Sequence, residues 1–179
     1  MDQAISEPTA AVEAHLLALR RFARSLLRGD RERADDLVQD CVERALCYWH
    51  RRRQDRELRG WLFTILYHRF ITEERRRRRE FQHRPLDDVP EAELPGFEGA
   101  QERALACRDL ARALGELPPE QRAVLLLVAA REATYQQAAG TLGVPIGTVM
   151  SRLSRGRERL RRRMNEERPA SRAALAIGR

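Results

Sequence analysis

The chain of 179 residues contains no lysine, and all 34 of its basic residues are arginine. Arginine favours bidentate contacts with phosphate and carboxylate groups, but codon usage in a GC-rich genome also removes lysine, and we favour this second explanation. No apolar run approaches the roughly 20 residues that a membrane-spanning helix needs. The N-terminal sequence MDQAISEPTA lacks the basic and then apolar pattern of a secretory signal. We therefore expect a cytoplasmic protein that does not insert into a membrane.

Cysteine is scarce, and its spacing argues against a metal site. Cys41, Cys47 and Cys107 do not form the close pairs that bind zinc, and they are expected to be free, mostly buried thiols in a reducing compartment. The sequence also lacks a nucleotide-binding glycine loop and a nucleophile–base set. We expect no cofactor, no metal and no enzymatic activity. The histidines are scattered along the chain at His15, His50, His68 and His83.

No stretch alternates between apolar and polar residues as a strand would. Helical periodicity instead predicts an all-α protein, with a three-helix lobe over 11–79 and a four-helix lobe over 103–165. Residues 80–102 are predicted to be a flexible linker, because proline and glycine interrupt them. Residues 1–10 are expected to be disordered and residues 166–179 to form a frayed tail. The predicted helices span 11–27, 33–49, 60–79, 103–117, 120–130, 135–142 and 145–164.

The charge is strong and divided into three zones. The chain carries a net charge of +7 and an isoelectric point near 10.4. Residues 1–79 hold 18 arginines against 13 acids, 80–102 hold one against seven, and 103–179 hold 15 against seven. Two basic lobes are thus separated by an acidic linker. This balance points to a polyanionic partner.

The segment 135–160 is predicted to be two helices joined by a tight turn. Thr134 suits an N-cap, Gly143 a left-handed C-cap and Pro145 the start of the second helix. That helix carries an apolar stripe, formed by Val149, Leu153, Leu160 and Met164. Small polar residues and arginine on the opposite side suit the major groove of DNA. An ordinary helical hairpin with a solvated basic face remains the alternative.

Two features of the N-terminal lobe allow a functional interpretation. The second helix has an acidic outer face, which is either a solvated surface or a docking surface for a basic protein. In the third helix Phe63, Tyr67, His68 and Phe70 cannot all join Trp61, Leu62, Ile65 and Leu66 in the core, so some aromatic residues are expected at the surface. Aromatic residues beside the arginines of 75–79 suit stacking on unpaired bases. A buried aromatic cluster with a solvated arginine end is the alternative.

The order of these parts resembles the extracytoplasmic-function (group 4) sigma factors of bacterial RNA polymerase. The resemblance rests on DDLVQDCVERA at 35–45, the helix 60–79, LGELPPEQR at 114–122 and YQQAAGTLGVPIGTVMSRLSRGRERL at 135–160. These four motifs stand in the family's order and cover about residues 11–165. The linker is too short for the extra middle domain of larger sigma factors.

The resemblance implies a role for each part. The second helix would bind core RNA polymerase through Asp36, Leu37, Gln39, Asp40 and Arg44. The third helix would capture and melt the −10 element through Trp61, Tyr67, His68, Arg69, Arg75 and Arg76. The C-terminal lobe would read the −35 element through Thr148, Met150, Ser151, Arg152, Ser154 and Arg155. It also implies promoter DNA and an anti-sigma factor as partners, and a monomer when free.

The chain departs from the family pattern at four positions. His68 and Thr72 stand where the family usually has Asn and Asp, and Gln137 and Met150 where it often has Glu and a basic residue. Two other functions remain open from the sequence. One is a sigma-like decoy that binds an anti-sigma factor, and the other is a stand-alone helix-turn-helix regulator.

Overall fold

The computed structural model describes residues 3–52, 57–81, 101–129 and 133–177, and these residues are helical apart from short connections. The prediction of an all-α protein is confirmed. None of the described helices is both long and apolar enough to cross a membrane. The helices are α1 Gln3–Glu13, α2 Leu16–Leu26, α3 Arg31–Cys47, α4 Leu58–Phe81, α5 Gln101–Glu116, α6 Pro119–Ala129, α7 Tyr135–Leu142 and α8 Ile146–Ile177, with a 3₁₀ turn at Trp49–Arg51.

The N-terminal lobe is built on α2, α3 and α4. Helix α3 begins where the side chain of Asp30 accepts a hydrogen bond from the backbone N–H of Arg33 at 3.1 Å, which satisfies one free donor of the first turn. The thiol of Cys41 donates to the carbonyl oxygen of Leu62 at 3.4 Å and so joins α3 to α4. The largest fully buried apolar side chains of this lobe are Leu19, Leu26, Leu62, Leu66 and Phe70.

Both ends of the chain differ from the prediction. Residues 3–10, expected to be disordered, belong to α1, which packs on α3 and buries Val12. Pro8 lies inside this helix. The expected frayed tail is also wrong for residues 166–177, because α8 continues to Ile177. Most of the predicted linker, 82–100, lies outside the described residues.

The C-terminal lobe is built around α6, which is buried along most of its length. Helix α8 crosses it closely at Gly156, where an added Cβ would lie 3.0 Å from Cδ1 of Leu125. Arg159 strengthens this contact by donating to the side-chain oxygen of Gln121 at 3.2 Å. In α5, Leu110 is exposed, and Leu117 just after this helix is buried.

The two lobes also pack directly on each other, and Arg122 is at the centre of this contact. Arg122 is only 3% exposed, and its guanidinium donates to the carbonyl oxygen of Leu26, in the other lobe. Burial lowers the pKa of Arg122 to about 10, so its charge is retained at neutral pH. Within its own lobe it donates to three more carbonyl oxygens, those of Leu114, Gly115 and Leu117 at 2.7–3.0 Å.

Three further pairs complete what we call the lobe interface: Arg28 with Gly115, His68 with Gly143, and Tyr67 with Arg152. An added Cβ at Gly115 would lie 3.5 Å from the side chain of Arg28, and one at Gly143 would lie 3.4 Å from Cε1 of His68. Apolar residues of both lobes therefore form one continuous core.

The lobe interface buries more of α4 than the sequence suggested. Phe63, Tyr67, His68 and Phe70 were predicted not to be buried all together, and three of them, Phe63, Tyr67 and Phe70, are buried. The prediction considered only the first three helices as packing partners. Helix α4 is covered by α2 and α3, and also by α6 and α7 of the other lobe. Among the four aromatic positions in question, only His68 is exposed.

Candidate nucleic-acid interface

The outer face of α3 carries the residues predicted to bind polymerase. Asp36, Gln39 and Arg44 are exposed there, and Asp40 is half-buried. Leu37 is only 4% exposed and belongs to the core, so its side chain is not available to a partner in this structure. The face therefore offers acidic and amide groups above a buried apolar row, as expected of an amphipathic helix.

Asp40 connects this face to α4. Its carboxylate forms ion pairs with Arg69 and with Arg44, the latter at 3.4 Å. Arg69 was predicted to contact −10 DNA, and Asp40 to contact polymerase. The two predicted surfaces thus share one ion pair, which holds the guanidinium of Arg69 against α3.

A pocket of about 310 Å³ opens beside this ion pair. It contains the predicted −10 residues Trp61, His68 and Arg69. Sequence reasoning did not place Arg44, Tyr48, Thr64 or Ile65 in this site. Thr64 and Ile65 lie on α4, and Arg44 and Tyr48 join them because α3 crosses α4. Aromatic walls with arginine at the rim suit an unstacked base. The complete lining is Arg44, Tyr48, Trp61, Thr64, Ile65, His68 and Arg69.

Aromatic and arginine side chains also stack beside the pocket. The rings of Trp49 and Trp61 meet edge to face with centroids 6.3 Å apart. The guanidinium of Arg52 lies 5.0 Å from the ring centre of Trp49, and that of Arg51 lies 5.5 Å from Tyr48. Such cation–π contacts hold arginines over aromatic faces without neutralising their charge. The only sequence signal for this cluster was the run of aromatic residues and arginines at 48–53.

The remaining predicted −10 residues divide into two groups. Arg75 and Arg76 are exposed at the far end of α4. Tyr67 is buried in the lobe interface, and burial raises the pKa of its hydroxyl, while the charge of the neighbouring Arg152 acts in the opposite direction. Tyr67 therefore cannot stack on a base in this arrangement.

The helix-turn-helix of α7 and α8 forms as predicted. The side chain of Thr134 accepts from the backbone N–H of Gln137 at 3.2 Å, and the side chain of Gln137 accepts from that of Thr134 at 2.9 Å. This reciprocal capping box gives Gln137 a structural role. Gly143 ends α7 with a φ of +64°, which other residues adopt only with strain.

Helix α8 has a buried apolar side and an exposed polar side, as its apolar stripe predicted. Val149 and Leu153 are buried, and Leu160 and Met164 are half-buried. Among the predicted −35 residues, Met150 is 50% exposed, and Ser154 and Arg155 are exposed beside it. This exposed face can enter a groove, because the opposite side of the helix is anchored on α6.

The other three predicted −35 residues are less accessible. Thr148 and Ser151 are half-buried, and the hydroxyl of Ser151 donates to the carbonyl oxygen of Thr148 at 3.0 Å. Arg152 points toward the N-terminal lobe, and its buried Nη1 has no hydrogen-bond partner among the described residues. Arg152 therefore lies at the lobe interface and not on the exposed face.

Comparison with known proteins finds a family match in each lobe. The family described as "Sigma-70, region 4" matches residues 107–160, and the "Sigma2 domain of PhyR" matches residues 12–67. The ECF RNA polymerase sigma factor EcfG of Rhodopseudomonas palustris (strain TIE-1) is 38% identical over 143 residues, which cover 80% of this chain and 77% of EcfG.

Two solved structures share the fold. The sigma factor RpoE, in complex with the anti-sigma factor NepR from Bartonella quintana, matches with a TM-score of 0.74 and 34% identity over 88% of this chain and 96% of RpoE. CnrH, in complex with the cytosolic domain of CnrY, matches with a TM-score of 0.62 and 26% identity over 93% of this chain and 91% of that one.

The fold and these likenesses define the chain as a promoter-specificity subunit of RNA polymerase. It belongs to the extracytoplasmic-function sigma factors.

Proposed function

We propose that this chain binds core RNA polymerase through α3, captures and melts the −10 element with α4, and reads the −35 element with α8. One observation carries the proposal. A single chain pairs an anchored helix-turn-helix, exposed at Met150, Ser154 and Arg155, with an aromatic pocket rimmed by arginines. The first surface suits duplex DNA and the second suits an unstacked base.

The polymerase contact is assigned to the exposed groups of α3. Asp36, Gln39 and Arg44 point away from the core, and Asp40 lies at its edge. Acidic side chains at this position would meet a basic surface on polymerase. Leu37 supports the helix from below and does not take part in the contact.

The pocket is the best-supported site for a flipped base of the −10 strand. Trp61 and Tyr48 supply aromatic surface, and His68 supplies a polar edge at its mouth. Arg75 and Arg76 extend from the same helix and suit the phosphates of the strand. Opening would use the binding energy of the unpaired strand, with no catalytic step on this chain.

The chain is expected to act in the cytoplasm as a monomer until it meets polymerase. An anti-sigma factor is the expected regulator, because both structural neighbours were solved in complexes and RpoE is bound there to an anti-sigma factor.

Runoff transcription with core polymerase on a genomic DNA library tests the proposal. We expect start sites that share two upstream elements and that depend on adding this chain. The pocket variant Trp61→Ala should abolish this transcription, and Arg161→Ala, an exposed position in α8 outside both surfaces, should leave it unchanged. A chain that binds an anti-sigma factor but starts no transcript would be a decoy. A palindromic footprint without polymerase would indicate a stand-alone regulator.

A further inference from the structure

One carboxylate joins α3 to α4 beside the pocket and contacts two of its arginines. Oδ1 of Asp40 accepts from Nε of Arg44 at 3.4 Å, and Oδ2 accepts from Nε of Arg69. Both arginines line the pocket, whereas Asp40 does not. The side chain of Asp40 is 31% exposed, against 45% for Arg44 and 40% for Arg69. The carboxylate therefore lies behind two cationic groups and connects them.

The contacts leave most donors of both arginines available. A guanidinium carries five N–H donors, most of them on the terminal nitrogens Nη1 and Nη2. Asp40 engages Nε of each arginine, so these two contacts use none of the terminal donors. The planar shape of the group fixes where those donors point once Nε is held. Arg44 and Arg69 can therefore present a fork of donors to an anion while the carboxylate holds them.

The charge at the rim of the pocket suits a phosphate. Two arginines and one carboxylate leave a formal charge of one positive unit there. A base that is flipped into an aromatic pocket remains joined to its strand, so its phosphate stays near the rim. Guanidinium groups match phosphate oxygens in shape and charge, and such bonds are stronger than those between neutral groups. The ligand that fits these arginines is thus the phosphodiester next to the captured base.

Asp40 could either help or hinder this contact, and the geometry favours help. An exposed arginine samples many rotamers, and a carboxylate that fixes Nε removes part of the entropy that phosphate binding would cost. The negative charge of Asp40 would itself repel a phosphate, but it contacts two arginines that lie on the pocket side. Repulsion across those cations is weak in water, where the dielectric constant is high. Orientation should therefore outweigh repulsion.

We propose that Asp40 is a positioning residue of the pocket, and that it holds Arg44 and Arg69 as a clamp for the phosphate of the captured nucleotide. The inference rests on the proposed −10 role of the pocket. It goes beyond the polymerase contact proposed for α3, because it gives Asp40 an effect on DNA after polymerase is bound. Trp61 would bind the base, the two arginines would bind the phosphate, and Asp40 would touch neither.

Removal of the carboxylate gives a result whose sign distinguishes the possible roles. The probe is a short fluorescein-labelled single strand with the −10 element of a promoter found by runoff transcription, and the protein is the purified holoenzyme. Asparagine has the same shape but one carbonyl oxygen and no charge, so it cannot hold both guanidinium groups. We expect Asp40→Asn to bind the strand at least about fivefold more weakly, as the loss of one bond to a charged group does. Charge repulsion alone would make binding tighter, and a polymerase contact alone would leave it unchanged, and either result would overturn the proposal.

Glu43→Gln is the matched control, because it removes the same charge from the same helix. Glu43 is exposed, accepts from Gln39 at 3.0 Å and does not line the pocket. Its holoenzyme should bind the strand within about twofold of the parent. Asp40→Glu restores the charge and should recover part of the affinity that Asp40→Asn loses. A loss in Glu43→Gln as large as that in Asp40→Asn would mean that α3 acts through its overall charge, and would overturn the proposal.

A double variant shows whether Asp40 acts through its arginine partner. Arg69→Gln should weaken binding by itself and lower the salt dependence by about 0.7 in the logarithmic slope, the value for one phosphate contact on a single strand. Adding Asp40→Asn to Arg69→Gln should then reduce the affinity much less than Asp40→Asn does in the parent. Fully additive losses would show that Asp40 acts without Arg69, which contradicts the clamp.

Uncharged methylphosphonate linkages, placed one at a time along the probe, locate the phosphate. In the parent holoenzyme one position should lower the affinity most, and that position should lose its effect in Arg69→Gln. Comparing these two proteins needs no Asp40 variant, so it tests the clamp even if circular dichroism shows that Asp40→Asn loses helix content. Absence of such a position would overturn the clamp and leave the base pocket standing. A parent holoenzyme that binds no −10 strand would refute the proposed −10 role and the clamp with it.

Discussion

At the scale of single residues, Arg155 allows a contact with a DNA base to be distinguished from a general contribution of positive charge to DNA binding. It is exposed on the anchored helix α8 beside Met150 and Ser154. We predict that Arg155→Ala weakens binding to the −35 element by roughly 1–3 kcal/mol and relaxes selectivity at one position, as the loss of one base contact does. Competition binding between matched and altered −35 duplexes would measure this change.

Arg157→Ala is the control for this prediction. Arg157 is also exposed on α8, and we expect it to contact phosphates and no base. Its loss should weaken all sequences alike and lower the salt dependence by about one unit in the logarithmic slope. Unchanged selectivity in Arg155→Ala would exclude the assigned face.

Cys41 predicts how stability depends on pH. Burial, and then the charge of Asp40, raises the pKa of its thiol from 9.0 to about 12. Above about pH 9 the unfolded chain loses this proton and the folded chain keeps it, so the free energy of unfolding falls as pH rises. Cys41→Ala should remove this part of the slope, at most about 1.4 kcal/mol per pH unit.

Urea unfolding from about pH 8 to about pH 10 would measure the difference in slope between the two proteins. Cys47 and Cys107 are present in both proteins, so the difference isolates Cys41. The range ends there because Arg122, with a pKa of about 10, then begins to lose its proton in the folded state and raises stability with pH. Parallel profiles would refute the assignment.

At the scale of elements, α7 depends on its capping box. It has only eight residues, and a helix this short gains little from propagation. We predict that Thr134→Ala lowers the free energy of unfolding by about 0.5–2 kcal/mol, because the hydroxyl that accepts from the backbone N–H of Gln137 is lost and only the bond to the Gln137 side chain remains. Thr134→Ser keeps the hydroxyl and should retain most of the stability. Urea midpoints of the three proteins decide the matter, and equal losses in both variants would argue against the cap.

Element positions were largely predictable, because they depend on local chemistry. Thr134 and the left-handed Gly143 delimit α7 at the predicted residues 135–142. Asp30 caps α3, which begins at Arg31 and not at the predicted residue 33. Helix α1 was missed because Pro8 and a polar composition conceal it. Tertiary contact of Val12 with the lobe stabilises what the local sequence does not specify.

At the scale of the whole molecule, Arg122 joins the lobes. No other type of side chain presents five donors in a fixed planar fork, and Arg122 uses them on four carbonyl oxygens. We predict that Arg122→Lys lowers the free energy of unfolding by about 2 kcal/mol or more, because several buried acceptors lose a charged donor.

Arg112→Lys, at an exposed position of α5, is the matched control and should change stability by less than about 0.5 kcal/mol. Denaturant unfolding monitored by circular dichroism measures both. A loss no larger for Arg122→Lys than for Arg112→Lys would show that the buried network does not stabilise the fold.

The candidate site was predictable in part. Exposure of Met150, Ser154 and Arg155 followed from the apolar stripe on the same helix, since a period of 3.6 residues separates the two faces. The pocket beside Trp61 did not follow, because Arg44 and Tyr48 come from α3 and its end. The crossing of two helices, which no single periodicity describes, brings these residues together.

The sequence by itself determined most of the helices, the cap of α7, the acidic face of α3 and the anchored face of α8, because each depends on neighbours a few residues away. Only the tertiary structure decided that Tyr67 is buried, that Arg152 faces the other lobe and that Arg122 reaches Leu26 across 96 residues. An amphipathic pattern shows which residues share a face of a helix. It does not show whether solvent, DNA or another part of the chain covers that face, since this depends on which packing buries the most apolar surface.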